Sequence, residues 1–151
     1  MINEPDLLSG LGENATLFVV GGVGMSARFF VFVGALCAGL SVVFSAAFAH
    51  WPSFAGGIPA MVQTALSQQQ FHALGLVLVG LAQGWRGPSP WWLASGWLML
   101  VGMALFSFNI YARSLLDFDA LRALVPWGGS AWIAAWALLA VGALRWPSGR
   151  A

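Results

Sequence analysis

Two histidines, His50 and His72, stand out because the sequence around them is almost entirely apolar. Neutral imidazole binds haem iron and other transition metals, and it relays protons. An ionisable side chain inside an apolar segment is therefore a candidate functional residue. His50 and His72 are candidate ligands for haem or a metal ion. The alternative is a structural role, in which each ring forms hydrogen bonds between helices.

Two neutral polar residues, Gln69 and Asn109, extend this set. Together with His50 and His72 they could line a small polar vestibule for a quinone headgroup or another amphiphile. They could equally form hydrogen bonds between helices, which is the usual role of amide side chains in apolar segments. The sequence leaves both interpretations open.

Other chemistry is poorly represented in the sequence. A metal site usually has three or four ligands, and the single cysteine, Cys37, is about three helical turns away from His50, so no metal site is predicted. The sequence has no P-loop motif, and no Ser-His-acid set falls within one apolar segment. We therefore expect a protein that is not an enzyme and has no cofactor, with haem or quinone as the alternatives.

The charges of the chain are few and scattered. Of the 151 residues, 60% are hydrophobic and 7% are charged, whereas soluble domains carry about 25% charged residues. The formal net charge is +1, and all six basic residues are arginines that never form a tract. This pattern excludes nucleic acid as a partner and predicts a membrane protein.

Four segments are long and apolar enough to cross a bilayer as helices, which takes about 20 residues. They follow from three uncharged stretches, the first of which is divided by a cluster of proline and glycine that begins at Pro52. Short links make consecutive helices antiparallel. The predicted fold is an all-α integral membrane protein, an antiparallel four-helix transmembrane bundle with spans at residues 29–49, 65–85, 91–112 and 126–144.

The N-terminal residues 1–27 are predicted to form a separate segment, because residues 16–27 are apolar but too short to cross a membrane alone. We expect this segment to be peripheral or interfacial, with residues 28–151 as the four-span membrane domain. Met25 is an alternative start of the mature chain.

The arginines also predict the orientation. Arg28, Arg86, Arg145 and Arg150 fall on the side of the two termini, against Arg113 and Arg122 on the other side. By the positive-inside rule both termini are cytoplasmic, in the inner membrane of a bacterium. Aromatic residues near the predicted span ends are expected at the lipid headgroups, namely Trp51, Trp85, Trp91, Trp92, Tyr111, Trp127 and Trp146.

Small residues four positions apart predict where helices approach closely, because lipid removes the hydrophobic drive between helices and leaves close packing to stabilise them. The candidate packing residues are Ser41, Ser45, Gly80, Gly84, Ala131 and Ala135. Three tryptophans near the middle of predicted spans are candidate contacts to a partner protein, namely Trp97, Trp132 and Trp136.

Several short motifs are typical of one family when their order and spacing are taken together. They are Ala49-His50, Gln69-x-Phe71-His72-Ala73-Leu74, Gly96-Trp97, Phe106-Ser107 with Tyr111, and Pro126-x-Gly128-Gly129 with Trp136. On these residues the chain resembles the small four-span membrane proteins of the YgdD and transmembrane protein 256 type, a domain-of-unknown-function family. It departs from the usual family pattern at Gln68, Phe108-Asn109, Val125 and Ala135. The resemblance implies a fold and a membrane location, but no reaction.

The leading functional hypothesis is a non-catalytic accessory, assembly or stabilising subunit of a larger inner-membrane complex, respiratory or photosynthetic. Its expected partners are the lipid bilayer and other membrane protein subunits. The alternative is a protein that binds haem, a metal, a quinone or a lipid through His50 and His72. A small transporter is the third alternative, and it is disfavoured because the sequence has no internal repeat and no charged coupling site.

Overall fold

The computed structural model describes residues 4–145, with side chains described from Gly24 onward. Throughout this range the ordered elements are helical, and it contains no strand. The α-helices are α1 (Glu4–Ala49), α2 (Ala60–Arg86), α3 (Pro90–Met103), α4 (Asn109–Leu116) and α5 (Val125–Leu144). A π-helical turn, Ala104–Phe108, joins α3 to α4, and two 3-10 turns, Pro52–Phe54 and Arg122–Leu124, lie in the links.

Three helical stretches within the described residues are long and apolar enough to cross a membrane, namely Gly24–Ala49, Pro90–Leu116 and Arg122–Leu144. The all-α class is thereby confirmed, and three of the predicted spans fall in these stretches. The predicted span at residues 65–85 is not among them, because the glutamines and the histidine of α2 lower its hydropathy. α2 has 27 residues, so at 1.5 Å per residue it is about 40 Å long.

Proline and glycine define the helix ends, as the sequence predicts. Pro90 and Pro126 lie in the first turns of α3 and α5, where the missing N–H group costs nothing. Gly87 follows α2 with a φ of 90°, a conformation that glycine adopts without strain. α2 begins at Ala60, five residues before the predicted start at residue 65.

α1 runs from Glu4 to Ala49 and passes from residue 27 to residue 28 as a continuous helix. The sequence there contains no proline to stop it, so the apolar run after residue 28 extends towards the N-terminus in helical form. The interfacial location of residues 1–27 stays a prediction, and residues 1–3 lie outside the described part of the chain.

The largest helix interfaces are α1 with α2 and α3 with α5, and α2 also packs against α3. Two clusters of buried side chains lie between these helices. One extends along α1, α2, α3 and α5 and includes Phe30, Leu76, Met99 and Trp132. The other lies towards the link between α1 and α2 and includes Phe48, Phe54, Val62, Ile110 and Tyr111.

Glycine sets the distance between α1 and α2. A Cβ on Gly34 would lie 2.8 Å from the Ala73 carbonyl oxygen, and one on Gly80 would lie 2.7 Å from the Ala27 carbonyl oxygen. These two pairs run in opposite directions along the two helices, so α1 and α2 are antiparallel. A Cβ on Gly84 would meet no atom of the described residues within 4 Å, so in this part of the chain Gly84 makes no close helix contact.

In each of the other predicted packing pairs, one residue is buried and the other is at least partly exposed. Ser41 is buried, but its hydroxyl donates to the Ala38 carbonyl oxygen of its own helix at 2.6 Å, and Ser45 is exposed. Ala135 is fully buried, whereas Ala131 is half-buried. A four-residue spacing identifies a possible ridge, but it does not identify which end of the ridge faces another helix.

Two aromatic residues predicted at the lipid headgroups lie in the interior instead. Trp92 is 4% exposed and Tyr111 is 5% exposed. Each ring donates a hydrogen bond to another helix. The Trp92 indole N–H donates to the Leu139 carbonyl oxygen of α5 at 3.3 Å, and the Tyr111 hydroxyl donates to Gln69 Oε1 of α2. Trp85 and Trp127 are largely exposed, and Trp146 lies outside the described residues.

Candidate functional site

Gln69 is fully buried and connects three helices. Its Nε2 donates to the Cys37 carbonyl oxygen of α1 at 2.9 Å, and its Oε1 accepts from the Tyr111 hydroxyl of α4 at 2.9 Å. The rings of Phe44 and Phe48 pack on the Tyr111 ring, with centroids 5.3 and 5.2 Å away. Both ends of the Gln69 amide therefore have protein partners, as buried polar groups require, and the network holds α1, α2 and α4 together.

Two serines for which the sequence predicts no packing role also connect helices. The Ser95 hydroxyl donates to the Ala135 carbonyl oxygen of α5, and the Ser107 hydroxyl donates to the Ala65 carbonyl oxygen of α2, both at 2.8 Å. Each serine is fully buried. A serine in an apolar helix also bonds readily within its own helix, so no spacing in the sequence could have identified these two as links between helices.

His72 lies in the interior of α2 and is held from two directions. Its Nδ1 lies 2.8 Å from the Gln68 carbonyl oxygen. Because a carbonyl oxygen only accepts, Nδ1 carries the hydrogen, and in the neutral ring Nε2 then holds the free lone pair. The imidazole also stacks on the Trp132 indole, with centroids 3.9 Å apart and planes 8° from parallel.

Trp132 is itself fixed, which gives this stack a rigid base. Its indole N–H donates to the Met99 carbonyl oxygen of α3 at 3.2 Å, and the side chain is 5% exposed. A Cβ on Gly102 would collide with the same indole. The Trp132 ring therefore occupies space that is open only because residue 102 is a glycine. Helices α2, α3 and α5 meet at Trp132, through His72, Gly102 and Trp132 itself.

A pocket of about 310 Å³ opens between α2 and α5 in front of the stack. Phe71 and Ile133 at its edge are 58% and 75% exposed, so the pocket opens to the outside of the helices. In a membrane protein that side faces lipid. The lining residues are Gln68, Phe71, His72, Phe106, Gly129, Trp132, Ile133 and Trp136.

The aromatic walls of the pocket are held by neighbouring rings and by the π-helical turn. Phe106 of that turn packs on Trp132 with centroids 5.0 Å apart, and Phe71 packs on Trp136 at 5.3 Å. A Cβ on Gly128 would lie 2.7 Å from the Phe106 backbone nitrogen, so α5 approaches the turn closely. A π-helical turn inside an α-helix often occurs at a functional site.

His50 does not lie near His72. His50 is exposed in the turn that follows α1. The Gln69 bond to Cys37 places the His72 region of α2 opposite Cys37, and His50 lies 13 residues farther along the chain, about 20 Å at 1.5 Å per residue. One haem or metal ion held by both histidines does not fit this separation, and residues 24–145 contain no group of three or more potential metal ligands.

Asn109 also lies apart from the pocket. Its Nδ2 donates to the Leu121 carbonyl oxygen at 2.6 Å, which ties the start of α4 to the link before α5. Its Oδ1 is buried, with no hydrogen-bond partner among the described residues. His50, Gln69 and Asn109 therefore do not join His72 in one vestibule, whereas Gln68 does share the pocket with it.

The three candidate partner-facing tryptophans have different surroundings. Trp97 is 51% exposed, whereas Trp132 is buried and Trp136 is half-buried. Trp136 lines the pocket, and its indole N–H is buried without a hydrogen-bond partner in the described part of the chain. Trp97 alone of the three presents a largely open face.

A family model with the description "Protein of unknown function (DUF423)" matches residues 44–129. The chain belongs to this family. The part that matches the DUF423 model includes α2 and the π-helical turn, and with them Gln68, His72, Phe106 and Gly129 of the pocket. Trp132 and Trp136 follow directly after it.

Three relatives of this DUF423 chain are named as membrane proteins. It is 30% identical over 120 residues to UPF0382 membrane protein SH2409 of Staphylococcus haemolyticus, with 78% of this chain and 97% of that protein covered. It is 32% identical over 123 residues to UPF0382 membrane protein YwdK of Bacillus subtilis, with 79% and 98% covered. It is also 32% identical over 123 residues to UPF0382 inner membrane protein YgdD of Escherichia coli, with 80% and 93% covered.

No solved structure matches the chain significantly. The resemblance to YgdD-type proteins, predicted from short motifs, is confirmed. This DUF423 chain is an all-helical membrane protein.

Proposed function

We propose that this protein is a four-span antiparallel bundle that binds the ring of a lipid-soluble molecule between α2 and α5, without catalysing a reaction. The observation that carries the proposal is the rigid stack of His72 on Trp132 beside a pocket of about 310 Å³ that opens towards lipid. Ligand pockets are mostly apolar cavities from about 300 Å³ upward, with a few fixed polar groups. This pocket has that composition.

The orientation of His72 indicates which ligand group it would bind. Nδ1–H is engaged with the Gln68 carbonyl oxygen, so Nε2 is an acceptor and needs a ligand that donates from O–H or N–H. The side-chain amide of Gln68 can add a donor and an acceptor. Aromatic walls favour a flat ring. A quinol headgroup with a long apolar tail has these properties, and the tail would leave past Phe71 and Ile133 into lipid.

The burial pattern of α2 supports its role as the fourth membrane span. Its polar residues Gln69, His72 and Gln83 are buried. Its exposed face from residue 71 onward is formed largely by apolar side chains, namely Phe71, Leu74, Leu78, Leu81 and Trp85. An amphipathic helix of this kind suits a bundle in lipid when its polar side faces the other helices. Its low mean hydropathy therefore does not argue against a span.

The orientation of the protein follows from the four-span proposal. An even number of spans places both termini on one side of the membrane, and the larger arginine count assigns that side to the cytoplasm. The printed name of YgdD, an inner membrane protein, supports the cytoplasmic membrane as the location.

Calorimetric titration of the full chain in lipid nanodiscs with a short-tailed benzoquinol tests the ligand proposal. We expect one binding site and weaker binding of the corresponding quinone, which has no hydroxyl group to donate to Nε2. His72→Phe keeps a ring on Trp132 but removes Nε2, so we expect affinity to fall about tenfold. His50→Phe, at the exposed histidine, serves as the matched control and should bind normally. Equal affinities of His72→Phe and the unaltered protein for quinol would contradict the proposal.

A second candidate function, an accessory subunit of a larger membrane complex, is favoured by the surface around Trp97. The Trp97 ring is 51% exposed and lies 5.6 Å from the Phe29 ring. The two rings border an apolar recess of about 290 Å³ together with Met25 and Leu93. A photo-crosslinking phenylalanine derivative at position 97, activated in native membranes, should form a protein adduct, with position 127 as the control. Adducts with lipid alone would argue against a subunit role.

A further inference from the structure

A second groove lies on the outer face of the α1–α2 pair, near the end of α2. It has a volume of about 610 Å³ and an apolar surface with one arginine at its rim. Its main lining residues are Arg28, Val31, Phe32, Gly80, Gly84 and Trp85. The groove is separate from the pocket at His72, which lies between α2 and α5.

Small side chains open this groove on the outer face of two helices that stay in contact, because the Ser26 hydroxyl of α1 still donates to Gln83 Oε1 of α2 at 3.1 Å. At Gly80 the helices touch, since a Cβ there would lie 2.7 Å from the Ala27 carbonyl oxygen. One turn farther along, a Cβ on Gly84 would meet no described atom within 4 Å. Phe32 and Trp85 are 67% and 76% exposed and border the opening. The opening therefore has an apolar surface, which suits a hydrocarbon chain.

The charge at this end of the helices is positive. Arg28 is exposed, and within residues 24–145 it has no carboxylate partner, because the ion pair in that range joins Arg113 to Asp119 at the opposite end. Arg86 lies at the same end as Arg28, with its guanidinium 4.5 Å above the Trp85 ring. Arg145 at the end of α5 adds a third positive charge.

We propose that this groove binds one anionic phospholipid of the surrounding bilayer. One acyl chain lies along Phe32 and Gly84, and the phosphate contacts the guanidinium of Arg28. A negative phosphate complements an arginine that has no other counter-charge in the described residues. A second copy of the chain is a poorer occupant, because it would bring its own Arg28 towards the same place.

Native mass spectrometry of the full chain in mild detergent tests this proposal, with phosphatidylglycerol and phosphatidylcholine of identical acyl chains as the probes. We expect one phosphatidylglycerol to bind about fivefold more tightly than phosphatidylcholine. Arg28→Gln should reduce the affinity for phosphatidylglycerol about fivefold and leave that for phosphatidylcholine unchanged. Gly84→Leu fills the groove and should weaken binding of both lipids.

Matched controls separate a local effect from a general one. Arg122→Gln removes an arginine from the opposite end of the helices. Gly39→Leu adds the same side chain as Gly84→Leu, but at a glycine of α1 that also has open space around it. Both controls should bind phosphatidylglycerol normally. Equal affinity for the two lipids would overturn the proposal, as would unchanged binding by Arg28→Gln. A dimer that Gly84→Leu disrupts would assign the groove to a second copy of the chain instead.

Discussion

The imidazole of His72 lies flat on the indole of Trp132, with 3.9 Å between their centroids and 8° between their planes. His72 belongs to α2 and Trp132 to α5, so this single contact joins helices that are distant in sequence. The hydrogen bonds of the two rings point to different helices, to Gln68 in α2 and to Met99 in α3. The stack is therefore part of the fold as well as a wall of the pocket.

Trp132→Ala should lower the free energy of unfolding by about 3 to 5 kcal/mol, because it removes a large buried ring and leaves a cavity. It also leaves the Met99 carbonyl oxygen without its indole partner. Trp97→Ala, at a ring that is 51% exposed, is the matched control and should cost much less. Unfolding by detergent titration measures both. Similar losses for the two variants would show that Trp132 is not a core residue.

The hydrogen bond between Tyr111 and Gln69 should be measurable in a double-mutant cycle. Tyr111→Phe removes the hydroxyl that donates at 2.9 Å, and it should lower stability by about 0.6 to 1.7 kcal/mol. Gln69→Leu should cost more, because it also removes the bond to the Cys37 carbonyl oxygen. The double variant should lose less than the two single losses combined. Strict additivity would indicate that the two side chains do not interact.

Gly80→Ala and Gly84→Ala should differ although the two glycines are one turn apart. At Gly80 the added Cβ would meet a backbone oxygen of α1 at 2.7 Å, so the helices must separate, at a cost of about 1 to 3 kcal/mol. At Gly84 the added methyl group meets no atom within 4 Å among the residues that the structure describes, and alanine is the better helix former. Thermal unfolding of the two variants in the same detergent makes the comparison. A loss at Gly84 equal to that at Gly80 would contradict the observed geometry.

Asp117 ends α4 with a φ of 52°, the positive φ of the left-handed region. Because this conformation costs an ordinary residue about 1 to 2 kcal/mol, Asp117→Val should destabilise the protein by about that amount. Asp117→Gly should leave it unchanged or raise stability slightly. The midpoint of thermal unfolding reports both changes. A valine variant as stable as the original would mean that the link rearranges.

The sequence predicts the helices well because their signals are local. Uncharged runs of sufficient length and the prolines at positions 52, 90 and 126 locate the helices to within a few residues. The start of α2 is less well predicted, because Pro59, which directly precedes the helix, belongs to a cluster of glycine and proline that equally predicts a longer link. Tyr111 shows a different problem, since proximity to a span end does not reveal that its ring turns inward.

The site depends on relationships that no local pattern encodes. The bond from Tyr111 to Gln69 joins residues 42 positions apart, and the pairing of His72 with Trp132 depends on how α5 is rotated about its axis. His72 is identifiable as a candidate from its residue type alone. His50 has the same residue type but lies in an exposed turn. The separation of about 20 Å between His50 and His72 along the helix axis follows only once α1 and α2 are aligned side by side.

The π-helical turn at Ala104–Phe108 gives one continuous helical rod two different angular settings. An extra residue in one turn sets every residue beyond it back by about 100° relative to an uninterrupted α-helix, which has 3.6 residues per turn. Met99 on one side of the turn faces the core around Trp132, and Tyr111 on the other side faces the core around Phe48. The inserted residue thus lets one helical rod face two adjoining cores, and a one-residue deletion there would turn either Met99 or Tyr111 away from its core.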